Sequence, residues 1–118
     1  MSAELQTLVA DAERAGAIAA DECVPPVMIV EGYEDQPVLD GPCGFAWISV
    51  RPGNSPLANF LKKSGKGGRD SYAGGVSVWV HAYRQSMAKK AAYADAYAAK
   101  IRDADLPRVT AYGQSRID

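Results

Sequence analysis

The chain has 118 residues, of which 47% are hydrophobic, and a net charge of −1. This length and composition predict a single domain, residues 1–118, with a buried core, and exclude a wholly disordered chain. The apolar runs fall well short of the ~20 residues that span a bilayer. The acidic start of the chain also lacks the basic region of a signal peptide, so we expect an intracellular protein without membrane contact.

Charge is unevenly spread along the chain. Residues 1–58 hold nine acidic and two basic side chains, whereas residues 59–118 hold five acidic and eleven basic ones. If the two halves occupied different faces, the resulting dipole would favour a charged partner or head-to-tail self-association. If the halves interleave in the fold, their fields cancel, and we take this second arrangement as the default.

The first half of the chain predicts a helix, a strand and a loop. Apolar residues at three- and four-residue spacing predict an amphipathic helix from Ser2 to about Ala20, and Pro25-Pro26 prevents its continuation. The β-branched, apolar segment 27–33 predicts a strand. The proline-containing segment 34–44 predicts a loop.

The segment GFAWISV, residues 44–50, predicts the second strand. Alternation puts Phe45 and Trp47 on one face of the strand and aliphatic side chains on the other. Because both faces are mostly apolar, we expect this strand inside the sheet rather than at its edge.

A capped helix and a third strand follow. Ser55 as N-cap and Pro56 at the first helical position predict the start of the helix, and Gly65 predicts its end after about two turns. The segment GGVSVWVHAY then predicts the clearest strand of the chain, since its side chains alternate. One face holds Val76, Val78 and Val80, and the other holds Ser77, Trp79 and His81.

The chain closes with a long helix and a fourth strand. Ser86 is the candidate N-cap of the helix, whose apolar stripe continues to Ile101 before Leu106-Pro107 ends the segment. A last strand is expected at about Arg108–Tyr112, followed by the tail GQSRID. The order α-β-β-α-β-α-β predicts a two-layer α/β sandwich, with a sheet of about four strands and the helices on one face.

The stretch SGKGG, residues 64–68, contains the Gly-Lys pair of a phosphate-binding loop. Such a loop needs a serine or threonine after the lysine, a glycine five positions before the Gly of that pair, and a place between a strand and a helix. Here Gly67 follows the lysine, the earlier glycine is absent, and a helix precedes while a strand follows. The sequence therefore favours a mobile basic connection over a nucleotide site.

A better-placed anion site is expected where the third predicted strand meets the long helix. A helix N-terminus offers free backbone amides and positive potential, and strand ends often border ligand sites in α/β sheets. The residues of this candidate site are polar or basic: His81, Arg84, Ser86, Lys66 and Arg69. The alternative is that Ser86 only caps the helix and the charged side chains are solvated.

The sequence shows no catalytic or metal-binding pattern. Cys23, Cys43 and His81 are too few and too far apart for a zinc site. The acidic residues of segment 31–40 lack the spacing of a calcium-binding loop. We therefore expect no enzyme activity, no metal and no cofactor.

The long helix carries small side chains opposite its buried stripe, flanked by tyrosines, which are enriched at protein interfaces. This candidate interface consists of Ala88, Ala92, Tyr93, Ala96 and Tyr97. The alternative is that the alanines only favour helix formation. Nucleic-acid binding is not favoured, because the pI is about 5.8 and the acidic N-terminal half would repel phosphate unless it faces away.

Four segments together resemble a set of small proteins encoded by tailed bacteriophages: CGFAWISVRPGNSPLANFLKK, DSYAGGVSVWV, QSMAKKAAYADAYAAKI and AYGQSRID. The resemblance covers about Cys43 to Asp118. It implies a viral origin and the cytoplasm of the infected host as the setting, but it supplies no reaction, ligand or site residue.

We expect a non-enzymatic phage accessory protein that binds a host or phage macromolecule. Its partner would be a protein, and it would act as a small homo-oligomer. One alternative is a component of the virion, such as a head–tail connector or a tail-completion subunit. Another is a protein that binds a small anionic ligand or a nucleotide.

Overall fold

The computed structural model describes residues 2–24, 44–70, 74–82 and 86–117. Within these ranges the chain forms three helices and four strands: α1 (Ser2–Glu22), β1 (Gly44–Arg51), α2 (Pro56–Lys63), β2 (Gly68–Arg69), β3 (Val76–Trp79), α3 (Met87–Asp103) and β4 (Thr110–Ile117). The predicted two-layer α/β architecture is confirmed. The predicted strand 27–33 and the loop predicted up to residue 43 lie outside the described residues.

The strands form one antiparallel sheet in the order β2-β3-β1-β4. Trp47 of β1 faces Trp79 of β3 on one side and Gln114 of β4 on the other, so β1 lies inside the sheet as its apolar faces predicted. Because β1 separates them, β3 and β4 run parallel to each other and are joined by α3. This connection is a split β-α-β arrangement.

One face of the sheet is covered by helices. α2 packs against β2 and β3, and α3 packs against β1 and β4. The strands contribute their helix-side aliphatic residues to the core: Ala46, Ile48, Val50, Val76, Val78 and Ala111. Each large aliphatic side chain buried in this way stabilises the fold by roughly 1.5–3 kcal/mol.

Two glycines let the elements approach closely. At Gly113, a side chain would collide with the carboxylate of Asp95 and the backbone of Ala94, so α3 lies directly on β4 at this point. α1 packs along α3 and also contacts α2. At Gly16 of α1, the ring of Tyr93 occupies the space that a side chain would need.

The predicted start and end of α2 are confirmed. The Ser55 hydroxyl accepts a hydrogen bond from the Ala58 N–H at 3.2 Å, and Pro56 is the first helical residue. At the other end, Gly65 has a φ of 75°, and the N–H of Lys66 donates to the Leu61 carbonyl at 3.0 Å. This is a Schellman end, in which a glycine with positive φ satisfies the last helical carbonyls.

One prediction about the strands is wrong. β4 runs from Thr110 to Ile117 instead of ending near residue 112, because every one of its residues pairs with β1. Most of the predicted tail is therefore part of the sheet. Four residues of SGKGG connect α2 to β2, as predicted, and its last glycine begins β2 and pairs with Ser77. No helix among those described is both long and apolar enough to cross a membrane.

Candidate functional site

The sheet face turned away from the described helices is called the open face here. It is made of alternate residues of three strands: Phe45, Trp47, Ser49 and Arg51 of β1, Ser77 and Trp79 of β3, and Thr110, Tyr112, Gln114 and Arg116 of β4. None of these ten residues is aliphatic, whereas the helix-side residues of the same strands are mainly alanine, isoleucine and valine. Both tryptophans of the chain belong to the open face.

Three aromatic side chains meet at the centre of the open face. The ring centroids of Trp47 and Trp79 are 4.8 Å apart, with an angle of 32° between the rings. Phe45 meets Trp79 edge-on at 6.4 Å. Trp79 remains 44% exposed. Aromatic side chains stabilise a structure most when they are buried. The exposed part of this cluster is not covered by any described residue and could be buried by a partner.

Arginine side chains lie over the rings of the open face. The guanidinium carbon of Arg116 is 5.9 Å from the ring centroid of Phe45. At the β4 edge, Arg102 of α3 lies 5.2 Å from the ring centroid of Tyr112. Its guanidinium also donates a hydrogen bond to the carbonyl of Ala111 at 2.8 Å. Both contacts are within the range of cation–π attraction, which holds positive charge beside exposed rings.

A depression of about 500 Å³ crosses the open face, lined by Trp47, Ser49, Arg51, Asp70, Trp79, Gln114 and Arg116. Asp70 is the only acidic residue among those lining residues, and its carboxylate accepts a hydrogen bond from the hydroxyl of Ser77 at 3.0 Å. The depression therefore combines aromatic rings with two arginines and little opposing charge.

The acidic residues of α1 lie on the helix side of the molecule. α1 contains five acidic residues and one basic residue, and it contacts α3 and α2 rather than the sheet. The two halves of the chain interleave. β1 lies between β3 and β4, Lys66 pairs with Glu13 at 3.0 Å, and Lys89 donates to the carbonyls of Ala20 and Cys23. The default expectation of interleaved halves therefore holds for these contacts, whereas Arg116 of the basic half lies on the open face, away from α1.

The structure does not bring the five residues of the predicted anion site together. Ser86 is 1% exposed and accepts a hydrogen bond from the N–H of Lys89 at 3.3 Å, so it caps α3, as the alternative expected. Arg69 lies in the edge strand β2 and lines a separate depression. Arg84 lies outside the described residues. Of the five predicted residues, Lys66 and His81 are the two that line one cavity.

This cavity has a volume of about 260 Å³ and is also lined by Glu13, Tyr93 and Tyr97. The hydroxyl oxygen of Tyr97 is buried and has no hydrogen-bond partner among the described residues. Burial raises the pKa of the Tyr97 phenol, and the Glu13 carboxylate adds to the rise. The hydroxyl is therefore a protonated hydrogen-bond donor at neutral pH, a feature that the sequence did not indicate.

The predicted interface on α3 is partly used within the chain. Tyr97 is 1% exposed, so its ring is part of the core and cannot contact a partner. Tyr93 packs on Gly16 of α1. The three alanines of the set, Ala88, Ala92 and Ala96, are half-buried. The prediction is thus wrong for Tyr97, because packing of α1 along α3 was not foreseen.

No group of three or more histidine, cysteine or acidic residues in the described ranges is arranged to hold a metal ion. Cys23 is half-buried at the end of α1, and Cys43 lies outside those ranges. Comparisons with models of protein families, with curated protein sequences and with solved structures find no match to this chain.

Proposed function

We propose that this protein is a non-enzymatic binding protein that holds another macromolecule against the open face. The observation that carries the proposal is the ring surface of Trp79, which lies beside Trp47 and Phe45 and remains 44% exposed. Covering apolar surface contributes roughly 25 cal/mol per Å². Trp, Tyr and Arg are also the residues that most often dominate binding energies at interfaces.

The extent of the open face supports a macromolecule rather than a small molecule. Its residues come from three adjacent strands, and the depression of about 500 Å³ runs across them instead of closing into a pocket. Exposed aromatic rings bordered by arginine are costly to leave in water unless a partner covers them. The bacteriophage resemblance, the host cytoplasm, the homo-oligomer and the virion alternative remain predictions.

The proposal is tested by capture with matched variants. A tagged Trp79→Ala/Arg116→Gln chain changes the open face, and an Ile18→Ala/Arg14→Gln chain makes similar changes at exposed positions of α1. We expect a partner captured from bacterial lysate by the wild type and the α1 variant to be lost from the open-face variant. Circular dichroism and melting temperature verify that both variants fold. Capture of the same partner by the open-face variant would contradict the proposal.

A second candidate function is binding of a small anionic ligand in the cavity lined by Lys66, His81 and Tyr97. The observation that favours it is the buried hydroxyl of Tyr97, which has no partner in the described chain and can donate to an oxygen acceptor. A thermal-shift screen with phosphate and small carboxylates tests it. Stabilisation that disappears in Tyr97→Phe supports this function, and no stabilisation at millimolar ligand counts against it.

A further inference from the structure

We infer that the macromolecule held by the open face is a single-stranded nucleic acid, whose bases stack on Trp47 and Trp79 and whose phosphates lie near Arg51 and Arg116. The inference rests on the proposed function and names the partner of the same surface. Four features carry it: the kinds of side chain, their arrangement, the distribution of charge, and the shape of the surface.

The side chains of the open face match the groups of a nucleic-acid strand. Every base has an aromatic face, and stacking on tryptophan tolerates any base sequence. The exposed side-chain amide of Gln114, beside the rings, suits the hydrogen-bonding edges of bases. Aliphatic side chains, which would enlarge the apolar centre of a protein interface, are confined to the helix side of these strands.

The two tryptophans form one continuous aromatic surface. They are register partners on the adjacent central strands β1 and β3, and their ring centroids are 4.8 Å apart. At this separation, and with 32° between their planes, the rings are stacked face against face, so each covers one face of the other. The outer face of this stacked pair is open to a base of an extended strand and does not enclose a single small ring.

The arginines flank the aromatic cluster at both ends. Phe45 pairs in register with Arg116, and Arg51 is six positions further along β1, which places the two arginines roughly 20 Å apart at the spacing of residues in a strand. α1, with five acidic residues, packs on α3 and α2 on the helix side of the sheet. The sequence requires the acidic N-terminal half to face away if phosphate is to approach. Five of the nine acidic residues of that half belong to α1, and the four of segment 31–40 lie outside the described residues.

A duplex does not fit the open face as well as a single strand. In a duplex the bases are stacked on each other, so their faces are unavailable to the tryptophans. The side chains of a flat sheet then reach only the phosphates. The exposed rings would then remain in water. We therefore expect the open face to bind a single strand more tightly than a duplex.

Intrinsic fluorescence tests the inference directly, because both tryptophans of the chain lie on the open face. The full-length protein is titrated with a short oligothymidylate and a short oligouridylate at low salt. We expect saturable quenching, with log affinity falling against log salt at a slope of about −1.4 to −2.1 for two or three phosphate contacts. Heparin, which has charge but no bases, should leave the fluorescence nearly unchanged.

Variants separate stacking from charge, with anisotropy of a labelled oligonucleotide as the readout. Trp79→Ala should weaken binding roughly tenfold or more, and Arg51→Gln/Arg116→Gln should reduce the salt slope by about 1.4. The controls Ile18→Ala and Arg14→Gln on α1 should bind as the wild type does. The arginine variant leaves the core untouched, so the test stands even if Trp79→Ala fails to fold.

Three results would overturn the inference: no oligonucleotide binding at low salt, equal binding of duplex and single strand, or quenching by heparin equal to that by oligothymidylate. If oligonucleotides fail to bind but the open-face variant loses a captured protein or its own self-association, the partner is a protein and only this inference falls. If the open-face variant keeps every captured partner and its self-association, the proposed function is contradicted as well.

Discussion

The two faces of the sheet are built from the same strands but by different kinds of residue. On the helix side, Ile48, Val50 and Val76 are fully buried. On the open face, Trp79 and Tyr112 are 44% and 55% exposed. The alternation of a strand lets one segment serve both faces at once, so the same eight residues of β1 can contribute to folding and to binding.

The contrast between the two faces separates residues that stabilise the fold from residues available for binding. Aliphatic residues on the helix side give stability through close packing, and replacing them should be costly. Aromatic and arginine residues on the open face gain little stability from their exposed surface, so binding accounts better for their presence. Substitutions on the two faces should therefore separate the loss of stability from the loss of binding.

The largest effect is expected in the core. Ile48→Ala should lower the free energy of unfolding by about 2–5 kcal/mol, because it removes a fully buried side chain and leaves a cavity. Trp79→Ala should cost only about 1–2 kcal/mol, since nearly half of the side chain is already in water. Urea denaturation measures both. An equal or larger cost for Trp79→Ala would mean that the open face is part of the core.

The second largest effect on stability is expected at the contact between α3 and β4. Gly113→Ala adds a methyl group where Asp95 and the backbone of Ala94 already lie, so it should cost about 1–3 kcal/mol through overpacking. Gly68→Ala is the matched control, because no atom lies within 4 Å of its added carbon. Thermal unfolding of the two variants should differ accordingly, and equal melting temperatures would contradict the close packing of α3 on β4.

Tyr97→Phe should leave stability at neutral pH unchanged or raise it by up to about 1 kcal/mol, since it removes a buried hydroxyl without a partner. The pKa of Tyr97 is raised in the folded state, so wild-type stability is full below the ordinary phenol pKa near 10 and falls as pH rises above it. Tyr97→Phe should lose less stability in that range. Tyr112→Phe, which changes an exposed ring, is the control, and an identical alkaline loss in wild type and Tyr97→Phe would contradict the burial of the hydroxyl.

The smallest effect is expected for the Lys66–Glu13 pair. Both side chains are about two-fifths exposed, and ion pairs of this kind contribute between 0 and about 1 kcal/mol. A double-mutant cycle with Lys66→Gln and Glu13→Gln at low and high salt measures the coupling. A coupling well above 1 kcal/mol that persists in high salt would show that this contact anchors α1.

Local patterns in the sequence predicted much of the fold. The alternation of 44–50 and of Val76–Val80 assigned the correct side chains to each face, and Ser55, Pro56 and Gly65 predicted the bounds of α2. These features depend on neighbouring residues alone. The end of β4 was missed because Gly113 and the polar residues after it have weak strand preference, and pairing with β1 overrides that preference.

The candidate site could not be predicted because it depends on contacts between distant segments. Trp47 and Trp79 are 32 positions apart in the sequence, and only the register of β1 with β3 brings their rings together. Arg116 was assigned to a tail, so its place over Phe45 was not foreseen. The burial of Tyr97 likewise follows from how α1 packs along α3.

The most direct test of the open face uses the two indole N–H signals of Trp47 and Trp79 in a nuclear magnetic resonance spectrum. During titration with oligothymidylate, both indole signals should shift and saturate together, while the backbone amide of Ile18 on α1 should stay in place. If neither indole signal moves while signals from α1 do, binding takes place elsewhere and the assignment of function to the open face is wrong.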